Sequence, residues 1–81
     1  MPYVYVVRCA DGTYYTGWTE DLAQRIAAHN AGQGARYTRS RRPVRLVYAE
    51  ECADRAAAQR REAAVKRLSH QAKARLGGPA D

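Results

Sequence analysis

Residues 3–17, Tyr3-Val4-Tyr5-Val6-Val7-Arg8-Cys9-Ala10-Asp11-Gly12-Thr13-Tyr14-Tyr15-Thr16-Gly17, decide the fold. Residues 3–8 are β-branched and aromatic up to the closing arginine, which predicts a strand. Asp11-Gly12 is a turn pair, and Thr13 to Gly17 reads as the returning strand of an antiparallel hairpin. Gly17 either closes that strand or lets a neighbouring group approach its backbone closely. The hairpin thus carries a tyrosine triplet on each arm, Tyr3-Val4-Tyr5 and Tyr15-Thr16-Gly17.

Working outward, Thr19 is a suitable N-cap, with Glu20 and Asp21 in the first turn facing the positive helix end. The first helix is expected over about residues 20–31, with Leu22 and Ile26 on its apolar stripe and Gly32 and Gly34 stopping it. Residues 32–43 read as a loop of glycine and arginine ending at Pro43, and Val44 to Ala49 as a third strand. Asp54 caps a second helix reaching about Leu68, with Ala57, Ala58, Val65 and Leu68 on its inner side. Ser69 starts a short third helix ending at Gly77, and residues 78–81 read as a frayed tail. The fold class is α/β: a small three-stranded antiparallel sheet flanked by helices, in the order β-β-α-β-α-α. It makes one domain over residues 1–77.

The chain has 81 residues, 46% of them hydrophobic, which suits one small compact domain and not a disordered tail. Twelve arginines and two lysines against eight acids give a formal charge of +6. That balance favours a polyanion, nucleic acid or less often an anionic membrane, and arginine binds phosphate through its planar fork, although a GC-rich genome enriches arginine equally well. No apolar run approaches the ~18 residues of a membrane span, and no secretory leader is seen, so no membrane partner is expected. Cys9 and Cys52 stand 43 apart without a CxxC pair, which speaks against zinc. Two unpaired thiols suit a reducing cytoplasm.

Arg25 and His29 lie four apart in the first helix and share a face beside the Leu22/Ile26 stripe. That places them at the rim where helix meets sheet, and an inward register would bring the Tyr5 and Tyr15 hydroxyls to the same rim. Glu62 is the only acid between Asp54 and Asp81, amid Arg60, Arg61, Lys66 and Arg67. Each residue also has an ordinary reading. The tyrosines pack well in a sheet, Arg25 suits a solvated helix face, and His29 complements a helix C-terminus. Glu62 and Lys66 are spaced as a surface ion pair. The segment Tyr37–Arg45 (YTRSRRPVR) interleaves an aromatic with arginines, as loops that follow a phosphate backbone do.

Together these residues resemble the GIY-YIG nuclease domain family, in particular its small stand-alone bacterial members. The likeness runs from the two triplets through Asp21-Leu22-Ala23-Gln24-Arg25-Ile26, His29-Asn30 and Gly34-Ala35-Arg36-Tyr37-Thr38. It continues through Arg42-Pro43-Val44-Arg45-Leu46-Val47-Tyr48 and Arg61-Glu62-Ala63-Ala64-Val65-Lys66-Arg67-Leu68-Ser69. Tyr3 replaces the first glycine of the family name, and Thr16 replaces its second isoleucine. Neither change removes a reacting group.

The resemblance implies a metal-dependent endonuclease that hydrolyses phosphodiester bonds in DNA. Tyr5 or Tyr15 would act as base on the attacking water or orient it. Arg25 would bind the scissile phosphate, and His29 would assist there. Glu62 would be the single carboxylate on one magnesium (or manganese) ion, an arrangement that suffices when water and phosphate supply the remaining oxygens. A tyrosine with its usual pKa of ~10 is a poor base, so the arginines and the metal would have to lower that value or take up the proton's charge. Arg36, Tyr37, Arg39, Arg41, Arg42, Arg45 and Lys66 are the expected nucleic-acid contacts. With no added recognition module in these residues, the expected substrates are branched, nicked or single-stranded DNA, or targeting falls to a protein partner or a second copy of the chain. Two alternatives stand beside the nuclease: a non-catalytic nucleic-acid-binding module, and an interaction subunit of a DNA-repair nuclease complex.

Overall fold

Strand β1 (Tyr3–Arg8) is buried along most of its length because it is the centre of the sheet. Strands β2 (Tyr14–Thr19) and β3 (Arg45–Glu51) flank it, both antiparallel, in the order β2-β1-β3. Around the sheet run α1 (Leu22–Asn30), the one-turn α2 (Arg36–Arg39), α3 (Arg55–Lys66) and α4 (His70–Leu76). The computed structural model describes residues 1–76. The expected helix end at Gly77 and the tail 78–81 lie outside the described residues. Among the described residues no helix is long and apolar enough to cross a membrane.

Gly12 takes the left-handed conformation, φ +85°, that the hairpin turn requires. The turn is closed by Cys9 N–H donating to the Thr13 carbonyl at 2.8 Å. The period-two alternation of β1 then builds two cores. Val4 and Val6 pack with Cys52, Ala58 and Val65 on the α3 side, where Tyr14, Trp18 and Leu68 join them. Tyr5 and Val7 pack with Cys9, Val44, Leu22 and Ile26 on the α1 side. Asn30 ties the end of α1 to the start of β3. Its amide donates to the Val44 carbonyl at 3.0 Å, and its oxygen accepts from Val44 N–H at 2.7 Å.

Three details differ from the sequence-based expectation. The N-cap of α1 is Asp21, whose carboxylate accepts from Gln24 N–H at 3.1 Å. Thr19 still belongs to β2, and its hydroxyl takes the Asp21 N–H instead. The loop 32–43 contains the short helix α2. Strand β3 starts one residue later than expected and runs to Glu51, with a register shift between Val6 and Val7 of its partner. Asp54 and Ser69 cap their helices as expected, accepting from Ala57 and Ala72 N–H at 2.8 and 3.1 Å.

Candidate active site

Tyr5 stands directly opposite Gly17 in the β1–β2 register. Its ring lies across that glycine: a Cβ there would meet the phenol carbon Cζ at 2.8 Å and the hydroxyl at 2.5 Å. Gly17 therefore makes room for a side chain, the close approach that the sequence left as one of two readings. Tyr5 is fully buried, and its hydroxyl oxygen is 2.7 Å from His29 Nε2. Arg25 Nε–H donates to the same oxygen at 3.4 Å.

His29 is not at a rim. It is fully buried, because the loop after α1 folds over it. A Cβ on Gly34 would collide with the His29 ring at Nδ1 and sit 2.8 Å from its Cα, so only a glycine lets the chain pass this closely. On the far side of the ring, Nδ1 is 2.8 Å from Thr38 Oγ1, which is 3.0 Å from the Ala35 carbonyl. A hydroxyl has one proton and a carbonyl only accepts, so the short contacts are all satisfied in one way. Thr38 donates to Ala35, His29 Nδ1–H donates to Thr38, and Nε2 accepts from the Tyr5 hydroxyl. The opposite tautomer gains only a marginal bond from Ala35 N–H at 3.5 Å and leaves the Ala35 carbonyl facing an oxygen lone pair.

Burial raises the Tyr5 hydroxyl above its ordinary pKa, and it outweighs the opposing hydrogen bond and charge of Arg25. The Arg25 guanidinium alone therefore does not make this phenol more acidic. Burial also lowers the His29 imidazole, and the Arg25 charge pushes it the same way. Both groups are neutral around pH 7, which is what the hydrogen-bond chain requires.

Tyr15 is only part-buried. Its ring meets the edge of His29 at 5.4 Å between centroids and stacks against Tyr37 at 6.0 Å. Its hydroxyl makes no hydrogen bond to another described residue, so of the two tyrosines it is the one open to a substrate. Tyr37 is 37% exposed, and the Arg41 guanidinium lies 4.0 Å over its ring. The sequence placed both phenols at one rim; the structure buries Tyr5 and leaves Tyr15 at the surface.

Glu62 follows Ala58 by four residues and precedes Val65 by three, so it shares the sheet-facing stripe of α3 with two fully buried residues. Its side chain is 21% exposed, and Lys66 Nζ lies 3.6 Å from one oxygen. Its charge reaches Tyr5 and disfavours loss of the phenol proton. Among the described residues no three or more His, Cys, Asp or Glu side chains gather into a metal site. A cation here would rest on one carboxylate, and Glu62 fits that demand: a part-exposed hard oxygen donor whose charge reaches Tyr5 in the hydrogen-bonded Tyr5–Arg25–His29 set. A hard cation that keeps most of its waters needs no more.

The expected phosphate contacts divide. Arg36, Arg39 and Arg45 are exposed and in no ion pair among the described residues. Arg41 is held by Asp11 at 3.0 Å and the Tyr37 carbonyl at 2.8 Å. Arg42 donates to the Arg39 carbonyl at 2.8 Å and the Asn30 carbonyl at 3.4 Å, so both brace the loop. Lys66 is occupied with Glu62. Thr38 and Gly34 complete the site and were not singled out from the sequence. Gly34 was read only as a helix stop and Thr38 only as part of the matching stretch 34–38, and the contacts that give them a role come from α1.

Residues 1–75 match the GIY-YIG catalytic domain. The chain is similar to UPF0213 protein DP2720 of Desulfotalea psychrophila, 62% identical over 83% of this chain and 62% of that protein, so it spans under two thirds of that relative. It is 51% identical to UPF0213 protein VNG_2274C of Halobacterium salinarum over 94% of this chain and 99% of that one. The solution NMR structure of UPF0213 protein BH0048 from Bacillus halodurans superposes with a TM-score of 0.59. It has 45% identity and covers 98% of this chain and 89% of that one. The match across both triplets, the first helix and the Glu62 helix, together with the shared architecture, shows that this chain belongs to the GIY-YIG catalytic domain family.

Proposed function

We propose that the protein is a divalent-metal-dependent endonuclease that hydrolyses phosphodiester bonds in DNA and selects branched, nicked or single-stranded forms. The family points to nuclease chemistry on nucleic acid; the metal, the choice of DNA and the substrate form are our reading. The observation that carries it is the joint placement of Tyr5, Arg25 and His29 in one hydrogen-bonded set, with the Glu62 charge acting on it. A module that only binds nucleic acid has no use for a buried phenol–imidazole pair beside an arginine and a carboxylate.

In this reading Arg25 receives the scissile phosphate and adds positive charge where the transition state gains negative charge. Tyr15, with its free hydroxyl, accepts a proton from the attacking water and passes its own to solvent as the water oxygen bonds to phosphorus and the bond to the leaving oxygen breaks, the leaving oxygen taking a proton from solvent. Tyr5 keeps its proton and donates it to His29, which fixes the position of the Arg25 side chain from below. Glu62 would hold magnesium (or manganese), which would supply Lewis-acid stabilisation of the charge that develops in the reaction. Lys66 must release Glu62 for this, at little cost for a solvated pair. The free, buried Cys9 and Cys52 suit a reducing compartment, and the cytoplasm with a role in DNA repair is the setting we propose.

The test is a cleavage assay on single-stranded, nicked, branched and intact duplex DNA, with and without magnesium, for the parent chain and Glu62→Gln. Cleavage by the parent that needs the metal and vanishes in the variant is expected. The variant should keep its stability within the ~0.5 kcal/mol of an exposed helix pair. Equal cleavage by the variant, or cleavage in chelator, overturns the metal role.

A further inference from the structure

The register of β3 changes partway along the sheet, and the change brings two arginines face to face. From Tyr3 to Val6 the partners keep one register, ending with Val6 opposite Tyr48. Beyond the shift, Val7 faces Leu46 and Arg8 faces Arg45. Had the first register continued, Arg8 would face Leu46. The extra residue, Val47, therefore exchanges a leucine for an arginine opposite Arg8. Like charges directly opposite each other destabilise a sheet, and bulges concentrate where a side chain is re-aimed for function.

The surroundings leave both charges unbalanced. Arg8 and Arg45 line a cleft of about 480 Å³ with the turn residues 9–12, Pro43 and Val44. Asp11 is the only acid lining it, and both its oxygens are committed. One accepts from Thr13 N–H and hydroxyl at 3.1 and 2.6 Å, the other from Arg41 at 3.0 Å. Among the described residues no ion pair includes Arg8 or Arg45. Cys9 and Val44 at the cleft floor belong to the Tyr5 core, whereas Arg8 alternates with Val4 and Val6 and leaves β1 on the α3 face, with Arg45 opposite it. Arg8 lies three residues from Tyr5 along β1, about 10 Å at strand spacing. That is a separation along the backbone, with the two side chains on opposite faces, so a substrate strand joining the two sites would run round the hairpin-turn end of the sheet.

We propose that Arg8 and Arg45 form an anion subsite that takes a backbone phosphate of the substrate strand away from the scissile position. The proposal rests on the nuclease reading and adds to it a second, non-reacting phosphate contact. Neither arginine touches the reacting atoms, and the phosphate between them replaces the repulsion with two charge-assisted forks.

Binding without metal tests it. Labelled single-stranded and nicked duplex oligonucleotides are titrated by fluorescence anisotropy across a salt series. The proteins are the parent chain, Arg8→Gln, Arg45→Gln, and Arg60→Gln on the exposed face of α3 as a matched change of charge. Each cleft variant should bind about tenfold more weakly at low salt. Its salt slope should flatten by about 0.9 on duplex or 0.7 on a single strand, with Arg60→Gln near the parent. Thermal melts at low salt add a readout independent of catalysis. Both cleft variants should melt higher than the parent, and inorganic phosphate should raise the parent's Tm more than theirs. If the parent binds and the cleft variants bind like Arg60→Gln, the subsite is wrong and the nuclease reading stands. If the parent binds no oligonucleotide, both fall. A response to inorganic phosphate with no change in oligonucleotide binding overturns the assignment to a nucleic-acid strand.

Discussion

Against α1 the sheet buries the polar side chains of Tyr5, His29 and Thr38, and every one is hydrogen-bonded. Against α3 it buries Val4, Val6, Ala58 and Val65, with Thr16 opposite Val6 as the polar exception. Thr16 Oγ1 has no partner among the described residues. One sheet therefore carries a core held by directional contacts on one face and a core held by area on the other. The first can fix atoms for chemistry, and the second supplies cohesion that tolerates changes of shape. Glu62 enters from the cohesive side, so the proposed site needs both.

The comparison breaks most visibly in the rate. Tyr15→Phe keeps the ring that packs on His29 and Tyr37 and removes only the open hydroxyl. Cleavage should fall by roughly 10²–10⁴-fold, while urea unfolding stays close to the parent. Parent-level cleavage by this variant would make Tyr15 a packing residue and return the water to some other group.

A second test touches the wired face away from the substrate. Thr38→Val is close in shape and leaves the His29 Nδ1–H buried without an acceptor. It should lose about 1–3 kcal/mol of stability, whereas Thr38→Ser, which keeps the hydroxyl, should recover most of it. Equal stability for the Val and Ser variants would mean that the chain from Tyr5 to Ala35 does not hold the imidazole.

On the cohesive face the same exchange should act in the opposite direction. Thr16→Val removes a buried hydroxyl that has nothing to bond and keeps the volume. The protein should become more stable by about 1 kcal/mol in denaturant unfolding. A loss of stability would reveal a partner for that hydroxyl and weaken the contrast between the faces.

The smallest effect is in pH. His29 has its pKa lowered on folding, so the unfolded chain binds its proton first. Its contribution is intact above the unfolded value of ~6.5 and is lost as pH falls from there toward the lower folded value. Tyr5 acts at the other end: its pKa is raised, so its contribution is lost as pH rises past ~10. Stability measured against pH should fall at both ends, and His29→Gln should flatten the decline between pH 6.5 and 5.

Local chemistry made the hairpin, both later helix caps and the shared face of Arg25 and His29 legible in the sequence. Asp-Gly turns, Asp or Ser caps and i, i+4 spacing each act within a few residues. The N-cap of α1 was misplaced because Thr19 and Asp21 are both capping residues, and the pairing of Thr19 with Tyr3 keeps it in the strand. Helix α2 was hidden because its four residues are too few to show a period. The burial of His29, the part played by Thr38 and the bulge at Val47 all depend on partners far along the chain. No window of sequence contains them. Glu62 was legible as the lone acid of its helix, and its place on the inner stripe follows from spacing as well, since it falls four residues after Ala58 and three before Val65.

Gly17 and Tyr5 belong to different triplets but fill one volume, and this bears on how the family can diversify. A methyl at position 17 has nowhere to go while the phenol is present, so Gly17→Ala should be tolerated only alongside a smaller residue at position 5. The pair is epistatic in one direction: position 17 cannot gain a side chain while the phenol stays, whereas position 5 can shrink with Gly17 unchanged. Randomised jointly, they offer a direct route to variants that keep the sheet and lose the phenol.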